Sequence, residues 1–373
     1  MLLGQWMGPV GNGTNKGFVI VNFESYIERE GMWTGRFCFT DDDKTLANFF
    51  GIVQIKKEGD KYNGLAFDFF ISNTEKNILE SRDSWLTHHR ESNFPKLIKI
   101  TNGVCDGSIL KAQYQSDAST NGDFIVHKID TDTVISPKKI FTWKDFKAWI
   151  DSRKKGLLFR GQRDSQKLKT SFHRHGRNDL IRYFQNDFQT LGHNMNSLKD
   201  YTYNLNDSTD RNALISVAQH HGFPTPCLDW TESPYIAAFF AFEGIDKRNV
   251  NQISNVRIFV FDYGEWSKPE NPNYYIKGNF LDTRPSLVFH LFPAVNNDRA
   301  LPQQSVFMFS NISDIESWVH HCEGIGKEYL YCFDLPYSER QLAMDDLRSM
   351  GVTHASLFPG KDGICKSLRE RLF

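Results

Sequence analysis

The chain has 373 residues, 40% of them hydrophobic and 24% charged, with 44 Lys and Arg against 45 Asp and Glu for a formal net charge of -1. That balance belongs to an ordinary folded globular protein; it excludes collagen-like, disordered and membrane-embedded classes and supplies no global attraction to nucleic acid. The length suits two domains.

No apolar run reaches the roughly 18 residues that span a bilayer, and the first residues lack a basic start and an apolar signal core. A cytoplasmic protein without membrane contact is therefore expected. Six cysteines, at 38, 105, 227, 322, 332 and 365, show neither a CxxC pair nor a His at finger spacing. Reduced thiols and no metal site are expected.

Residues 1–130 read as β throughout. Seven segments, from "GFVIVNFE" to "DFIVHKI", are separated by Gly, Asn and Asp at about hairpin spacing, so an antiparallel barrel or sandwich is expected. Phe occurs 31 times in the chain, often in such runs. Glycines in "GQWMG" and "WTGRF" fall where a barrel strand would bend, with tryptophans beside them to plug one end. The favoured reading is a docking or regulatory domain, and the alternative is a small-ligand barrel.

Residues 131–152 form a linker with a helix: Pro137 ends the extended run, and Trp143, Phe146 and Trp149 recur at i, i+3 spacing. Residues 153–373 form the second domain. It opens on the strand "LLFRGQ", continues with helices near 179–191 and 211–221 and through "SPYIAAFFAFEGI", adds strands at "NVRIFVFDY", "SLVFHLFP", "SVFMFS" and "EYLYCFDL", and has a last helix at "YSERQLAMDDLRSMG". The fold class is α+β.

"LLFRGQ" pushes an arginine and a glycine out of an apolar run. Arg160 offers five donors in a rigid fork suited to phosphate or carboxylate, and Gly161 lets a backbone come close. The ordinary account is a strand ending in a solvated Arg. Around it, residues 153–182 hold Lys or Arg at 153, 154, 155, 160, 163, 167, 169, 174, 177 and 182 against Asp164 and Asp179 only. Such an excess is either a solvated face or the wall of a polyanion site.

The densest signal is residues 216–240. Gln219, His220 and His221 close a helix, Gly222 caps it, "FPTP" stops it, and Thr231 is placed as the N-cap of the next helix, which Ser233 and Pro234 open. Taken singly these are good caps and satisfied turns. Together they crowd polar groups able to hold a nucleotide into a short, kinked segment.

"LLFRGQ" with "SFHR", then "QHHGFPTPCLDWTESPYIAAFFA", "DRALPQQSVFMF" and "MGVTHASLFPGKDG" resembles, in order and spacing, the FRG domain family, named for the Phe-Arg-Gly at 159–161. The likeness covers roughly residues 140–373. It implies a fold related to ADP-ribosyltransferases and a setting in bacterial toxins or anti-phage defence. It also implies a site for NAD in which Arg160 takes the first position, Thr231 with Ser233 the second, and Gln303 or Gln304 the third.

On that resemblance Arg160 contacts the pyrophosphate or nicotinamide ribose, Gly161 opens the backbone to the nicotinamide amide, and Phe159 and Gln162 belong to the same NAD site. Arg163 and Arg174 add phosphate contacts, His220 holds a ribose hydroxyl, Gln219 and Asp229 join the wall, and Trp230 or a Phe ring stacks on the nicotinamide. Two positions depart from the family. Pro226 stands where Arg usually follows Pro-Thr, and "PQQS" supplies amides where a Glu is usual. An amide carries no charge to steady a developing cation, so either Gln303 positions NAD while Asp229 or Glu232 helps, or the chain binds NAD without rapid turnover.

The expected function is transfer of ADP-ribose from NAD to RNA, DNA or protein, with an antitoxin or other neutralising partner. The alternatives are a sensor module that binds nucleotide or nucleic acid with little turnover, and an NAD glycohydrolase.

Overall fold

Alternation of apolar and other residues organises the first half. In the computed structural model, which describes residues 2–11, 16–27, 30–43, 46–73, 78–89, 93–129, 134–198, 201–246, 254–274, 282–290, 297–324 and 326–372, nine strands form one antiparallel sheet. They are β1 (Gly4–Gly11), β2 (Lys16–Ile27), β3 (Met32–Asp41), β4 (Phe49–Glu58), β5 (Lys61–Asn73), β6 (Ile78–Ser81), β7 (Ile98–Cys105), β8 (Ile109–Ser116) and β9 (Asn121–Lys128), with a short helix α1 (Arg82–His88) after β6. Pairing of β1 with β9 and of β4 with β5 closes eight of them into a barrel, and β6 hangs on β5 outside the ring. The barrel, rather than a sandwich, is the form adopted.

Along β3 the residues Trp33, Phe37 and Phe39 face the barrel core, with Gly35 between them in the same alternation. A Cβ at Gly35 would stand 2.2 Å from the Asn22 carbonyl oxygen, and one at Gly8 would stand 2.0 Å from that of Ile125. Only glycine permits the close strand approach that closure demands at these two bends. Trp6 and Trp33 are buried toward one end, Trp6 Nε1 donating to the Leu2 carbonyl at 2.7 Å and Trp33 lying 5.8 Å from Tyr62, ring to ring. Strand β1 holds the glycines of "GQWMG" expected at a barrel bend, though "GQWMGPVG" is not among the seven β runs read from the sequence, and it pairs with both β2 and β9 to complete the ring.

The second half is α+β. Its sheet runs β10 (Lys139–Ile140), β16 (Leu330–Pro336), β13 (Asn255–Asp262), β11 (Leu157–Gln162), β12 (Cys227–Thr231), β15 (Ser305–Ser310), β14 (Leu287–His290), antiparallel except for the β10–β16 pair. The helices are α2 (Trp143–Ser152), α3 (Ser171–Arg174), α4 (Leu180–Arg182), α5 (Phe188–Met195), α6 (Ser208–His220), α7 (Pro234–Glu243), α8 (Tyr263–Trp266), α9 (Ile315–Cys322), α10 (Arg340–Ser349), α11 (His354–Leu357) and α12 (Lys361–Leu372). A π turn over Tyr183–Asp187 interrupts the helix expected near 179–191. Helices α9 and α12 were not expected from the sequence pattern. The expected division at 130 and 131 and the end of the strand "SLVFHLFP" lie outside the described residues.

Both faces of this sheet are covered, which is why β13 reads as a continuous apolar run. Val256, Ile258 and Val260 pack with α2, α7 and α10 on one face; Phe259 and Phe261 pack with Trp230, Met308, Trp266 and α9 on the other. Helices α3 to α6 build a further cluster against Cys227, Phe307 and Phe309. No described helix is long and apolar enough to cross a membrane.

The barrel docks on this body through its outer face. Met7, Ile20, Cys38 and Phe50 pack on Ile181 and Ile312. Gln5, fully buried, donates to Asn22 Oδ1 and to the Asn311 carbonyl at 2.8 Å each and accepts from the Ser313 N–H at 3.0 Å. The Glu24 carboxylate accepts from Arg177 Nε at 3.1 Å, from the Asp179 N–H at 2.7 Å and from the Asn178 N–H. Arg36 pairs with Asp179 at 3.0 Å.

Burial pushes the Asp179 carboxyl up to about 6, against the pull of the Arg182 N–H and of Arg36. A folded-state value above the unfolded one means that this group favours the fold most at low pH, and that this contribution is lost as pH rises from about 4 through 7. The thermal midpoint of the native chain relative to Asp179→Asn is therefore expected to fall across that window. A pH-independent difference between the two would contradict it.

Candidate functional site

A split in the second sheet makes the site. β11 pairs with β13 along all six of its residues and β12 with β15 along all five, but β11 meets β12 at one register pair, Phe159 opposite Thr231. Beyond that pair the two strands part. The guanidinium of Arg160 crosses the gap, Nη1 donating to the Asp229 carbonyl oxygen at 2.7 Å, while its Nε is buried with no hydrogen-bond partner. Burial pulls the Arg160 pKa below its ordinary value, Asp229 pulls the other way and Arg174 adds to the lowering. The group stays cationic, because an arginine does not lose its proton in a protein.

Around Arg160 lies a cavity of about 320 Å³. The last turn of α6 brings Gln219 and His220, β12 brings Asp229, and α7 lays Ala237 and Phe240 along the opposite wall; Arg299 and Gln303 enter on the turn before β15, Ser305 opens that strand, and Phe358 follows α11. Burial holds the His220 imidazole below its ordinary pKa; Asp229 opposes this and Arg299 adds to it. The ring is therefore neutral at pH 7. Its Nδ1 is 3.2 Å from the Ser216 carbonyl and 3.3 Å from Asn297 Nδ2, which leaves Nε2 for a ligand. Phe240 and Phe358 meet edge to face at 5.9 Å, and the Arg299 guanidinium lies 5.2 Å from the Phe358 ring centre.

Residues 155–250 match the family model of the FRG domain. The chain carries an FRG domain. No match to it was found among curated proteins or among solved structures. The matched span of the FRG domain holds β11 through α7, and with them Arg160, Gln219, His220 and Asp229; Arg299, Gln303 and Phe358 reach the same cavity from beyond it.

Several expected contacts are placed otherwise. Trp230 and Phe159 border the cavity, but both are almost fully buried, Trp230 packing in the core beside Phe261, so the half-buried rings open to a ligand are Phe240 and Phe358. The Phe159 ring is likewise a core group, edge-on to Trp149. Ser233, not Thr231, is the N-cap of α7, its hydroxyl accepting from the Ile236 N–H at 3.3 Å. The Thr231 hydroxyl donates to the Gln303 carbonyl at 2.8 Å and accepts from the Ser233 N–H at 3.2 Å, which ties β12 to the turn before β15.

Gln303 lines the cavity, with Nε2 donating to the Leu357 carbonyl at 2.9 Å and Oε1 left over. Gln304 does not line it: at φ 47° it makes the turn, and its carbonyl accepts from the Glu232 N–H at 3.3 Å. Glu232 is also outside the lining, so Asp229 is the carboxylate of the cavity among the described residues. The Gln162 side chain donates to the Gln166 carbonyl at 2.7 Å. Arg163 lies against Gly244, at the far end of α7.

Apart from Arg160, the basic run does not wall the site. Arg177 and Arg182 face Glu24 of the barrel, Lys154 pairs with Asp262 and Lys167 with Asp314. Arg174, exposed and donating to the Lys169 carbonyl at 2.8 Å, is the member of the run whose charge reaches Arg160. The cation that sequence reading passed over is Arg299, although it stands in the "DRALPQQSVFMF" block.

Proposed function

We propose that the FRG domain binds NAD across the β11–β12 gap and transfers its ADP-ribose to a macromolecule. The observation that carries this is Arg160, a cation with a buried, unpartnered N–H, set opposite Arg299 in a cavity that also holds a carboxylate and two aromatic rings. Guanidiniums seat the phosphates through charge-assisted hydrogen bonds, and the edge-to-face pair Phe240 and Phe358 offers an apolar aromatic wall for the nicotinamide ring. The volume suits one nucleoside with its phosphates, and the second half of the dinucleotide continues toward exposed Arg174.

In the reaction the bond from the ribose C1′ to the nicotinamide nitrogen breaks. Nicotinamide leaves with the electron pair, and an acceptor oxygen or nitrogen attacks C1′ and gives up its proton. Positive charge develops on the ribose, and Asp229 supplies the negative charge that Gln303 cannot. Neutral His220 accepts a ribose hydroxyl or takes the acceptor's proton. The setting proposed is bacterial conflict, with a neutralising partner to restrain loss of NAD in the host.

Asp229→Asn separates these roles. Nicotinamide release is expected to slow about 100-fold or more, while NAD affinity is unchanged or tighter because a charge that repels phosphate is gone. Equal release by Asp229→Asn and the native chain would remove Asp229 from the mechanism. A second reading, a nucleotide-binding module without turnover, is favoured by the Thr231 hydroxyl and the Gln303 amide N–H already being engaged inside the fold. Under that reading NAD binds and no nicotinamide appears.

A further inference from the structure

The barrel has a cavity of its own, of about 350 Å³. It lies toward the end away from Trp6, Trp33 and Tyr62, none of which line it. Its walls are the inward residues of the ring, among them Val19, Val21, Val53, Ala66 and Ile100, and its mouth is made by Leu46 and Ala47 after β3, Trp85 of α1 and Phe94. Packed interiors hold few voids larger than a water molecule, and a water in such a space needs two to four polar partners that these walls do not offer. Eight-stranded barrels of this size are wide enough to hold one small ligand.

The rings around the cavity are fixed by one another. Phe49 meets Phe37 at 5.9 Å and 87° and Phe94 at 5.0 Å and 81°. The seat is therefore preformed and aromatic. Its polar groups gather at one end. The Thr120 hydroxyl is engaged with Ser116 Oγ at 2.6 Å and Asn93 Nδ2 with the Ala118 carbonyl at 3.1 Å. That leaves Tyr114 and the second carboxylate oxygen of Asp41, whose Oδ1 accepts from the Asp43 N–H at 2.9 Å, and Asp41 is the charged residue among the described lining residues. Asp42 and Asp43 follow it in sequence and deepen the negative potential there.

We propose that the barrel binds a small aromatic molecule, uncharged or cationic, with its polar end at Asp41 and Tyr114. Anionic amphiphiles of the same shape are disfavoured, because their head group would be placed against a carboxylate that two further acidic residues follow. The proposal does not depend on the activity of the FRG domain, since none of its residues line the FRG cavity.

The test uses the full chain and two fluorescent probes with the same ring system. N-phenyl-1-naphthylamine is uncharged, and 8-anilinonaphthalene-1-sulfonate adds a sulfonate. The uncharged probe is expected to bind at a single saturable site, and the sulfonate at least about tenfold more weakly. Ala66→Phe, which puts a ring into the cavity, is expected to abolish binding with an unchanged circular-dichroism spectrum. Asp41→Asn is expected to narrow the gap between the probes to about threefold or less without weakening the uncharged one, and this arm decides the matter even where Ala66→Phe misfolds. The absence of saturable binding, a folded Ala66→Phe that binds as the native chain does, or equal affinity for the two probes would overturn the proposal.

Discussion

Arg160→Ala is expected to weaken NAD binding by about 100-fold or more, the equivalent of two charge-assisted hydrogen bonds at ~1.5 kcal/mol each. Label transfer falls with it. The fold should barely respond, because the lost bond to the Asp229 carbonyl is offset by relief from holding a guanidinium in a partly desolvated gap. Arg160→Lys does not rescue binding: one ammonium cannot bridge to the Asp229 carbonyl and also present a planar fork to phosphate. Calorimetric titration with NAD, read beside the thermal midpoint, separates the two effects. Unchanged affinity in Arg160→Ala would mean that the β11–β12 gap is not the nucleotide site.

Gly161→Ala acts on the fold. A Cβ at Gly161 would stand 1.9 Å from the Ala237 carbonyl oxygen and 2.7 Å from the Ala241 nitrogen, both backbone atoms of α7. Neither can yield without moving the helix off the sheet, and α7 packs directly on β11 in the main core of the domain. Overpacking of this kind costs about 3 kcal/mol at the upper end of its usual range, which lowers the midpoint of a domain this size by roughly 6–12 °C. A variant that melts like the native chain would show that β11 and α7 are not in backbone contact. The glycine of the Phe-Arg-Gly motif thus serves strand–helix packing first, and it serves the cavity by bringing α7 close enough to wall it.

Legibility in the sequence followed the range of the interactions. The barrel strands were readable because inward and outward residues alternate along each one, as at Trp33, Phe37 and Phe39. Strand β1 was legible only as a bend, because its glycines and Pro9 obey a demand set by distant neighbours, Ile125 across the closing seam among them. At the site, Arg160, Gln219, His220 and Asp229 sit within two short segments whose local chemistry announces them. Arg299 and Phe358 do not: one comes from the turn before β15 and the other from the segment after α11, and only the packed sheet brings them to Arg160.

The basic run misled for a related reason. Charge density along a chain does not say where the side chains go, and Glu24, Asp262 and Asp314 claim four of those ten cations for docking and internal pairing. A motif records which residues are present but not which face of the sheet each one takes: Trp230 borders the cavity, yet its ring is buried in the core, and Asp229, its neighbour in β12, is exposed.

The central claim is that this FRG domain moves ADP-ribose. The most direct test incubates the full chain, and Arg160→Ala beside it, with NAD labelled in the adenylate half and with lysate separated into protein, RNA and DNA, following label in each fraction together with nicotinamide release. Nicotinamide release with label retained in one fraction, both lost in Arg160→Ala, is the result predicted. NAD bound by the native chain with neither release nor label would contradict transfer and leave a nucleotide-binding module in its place.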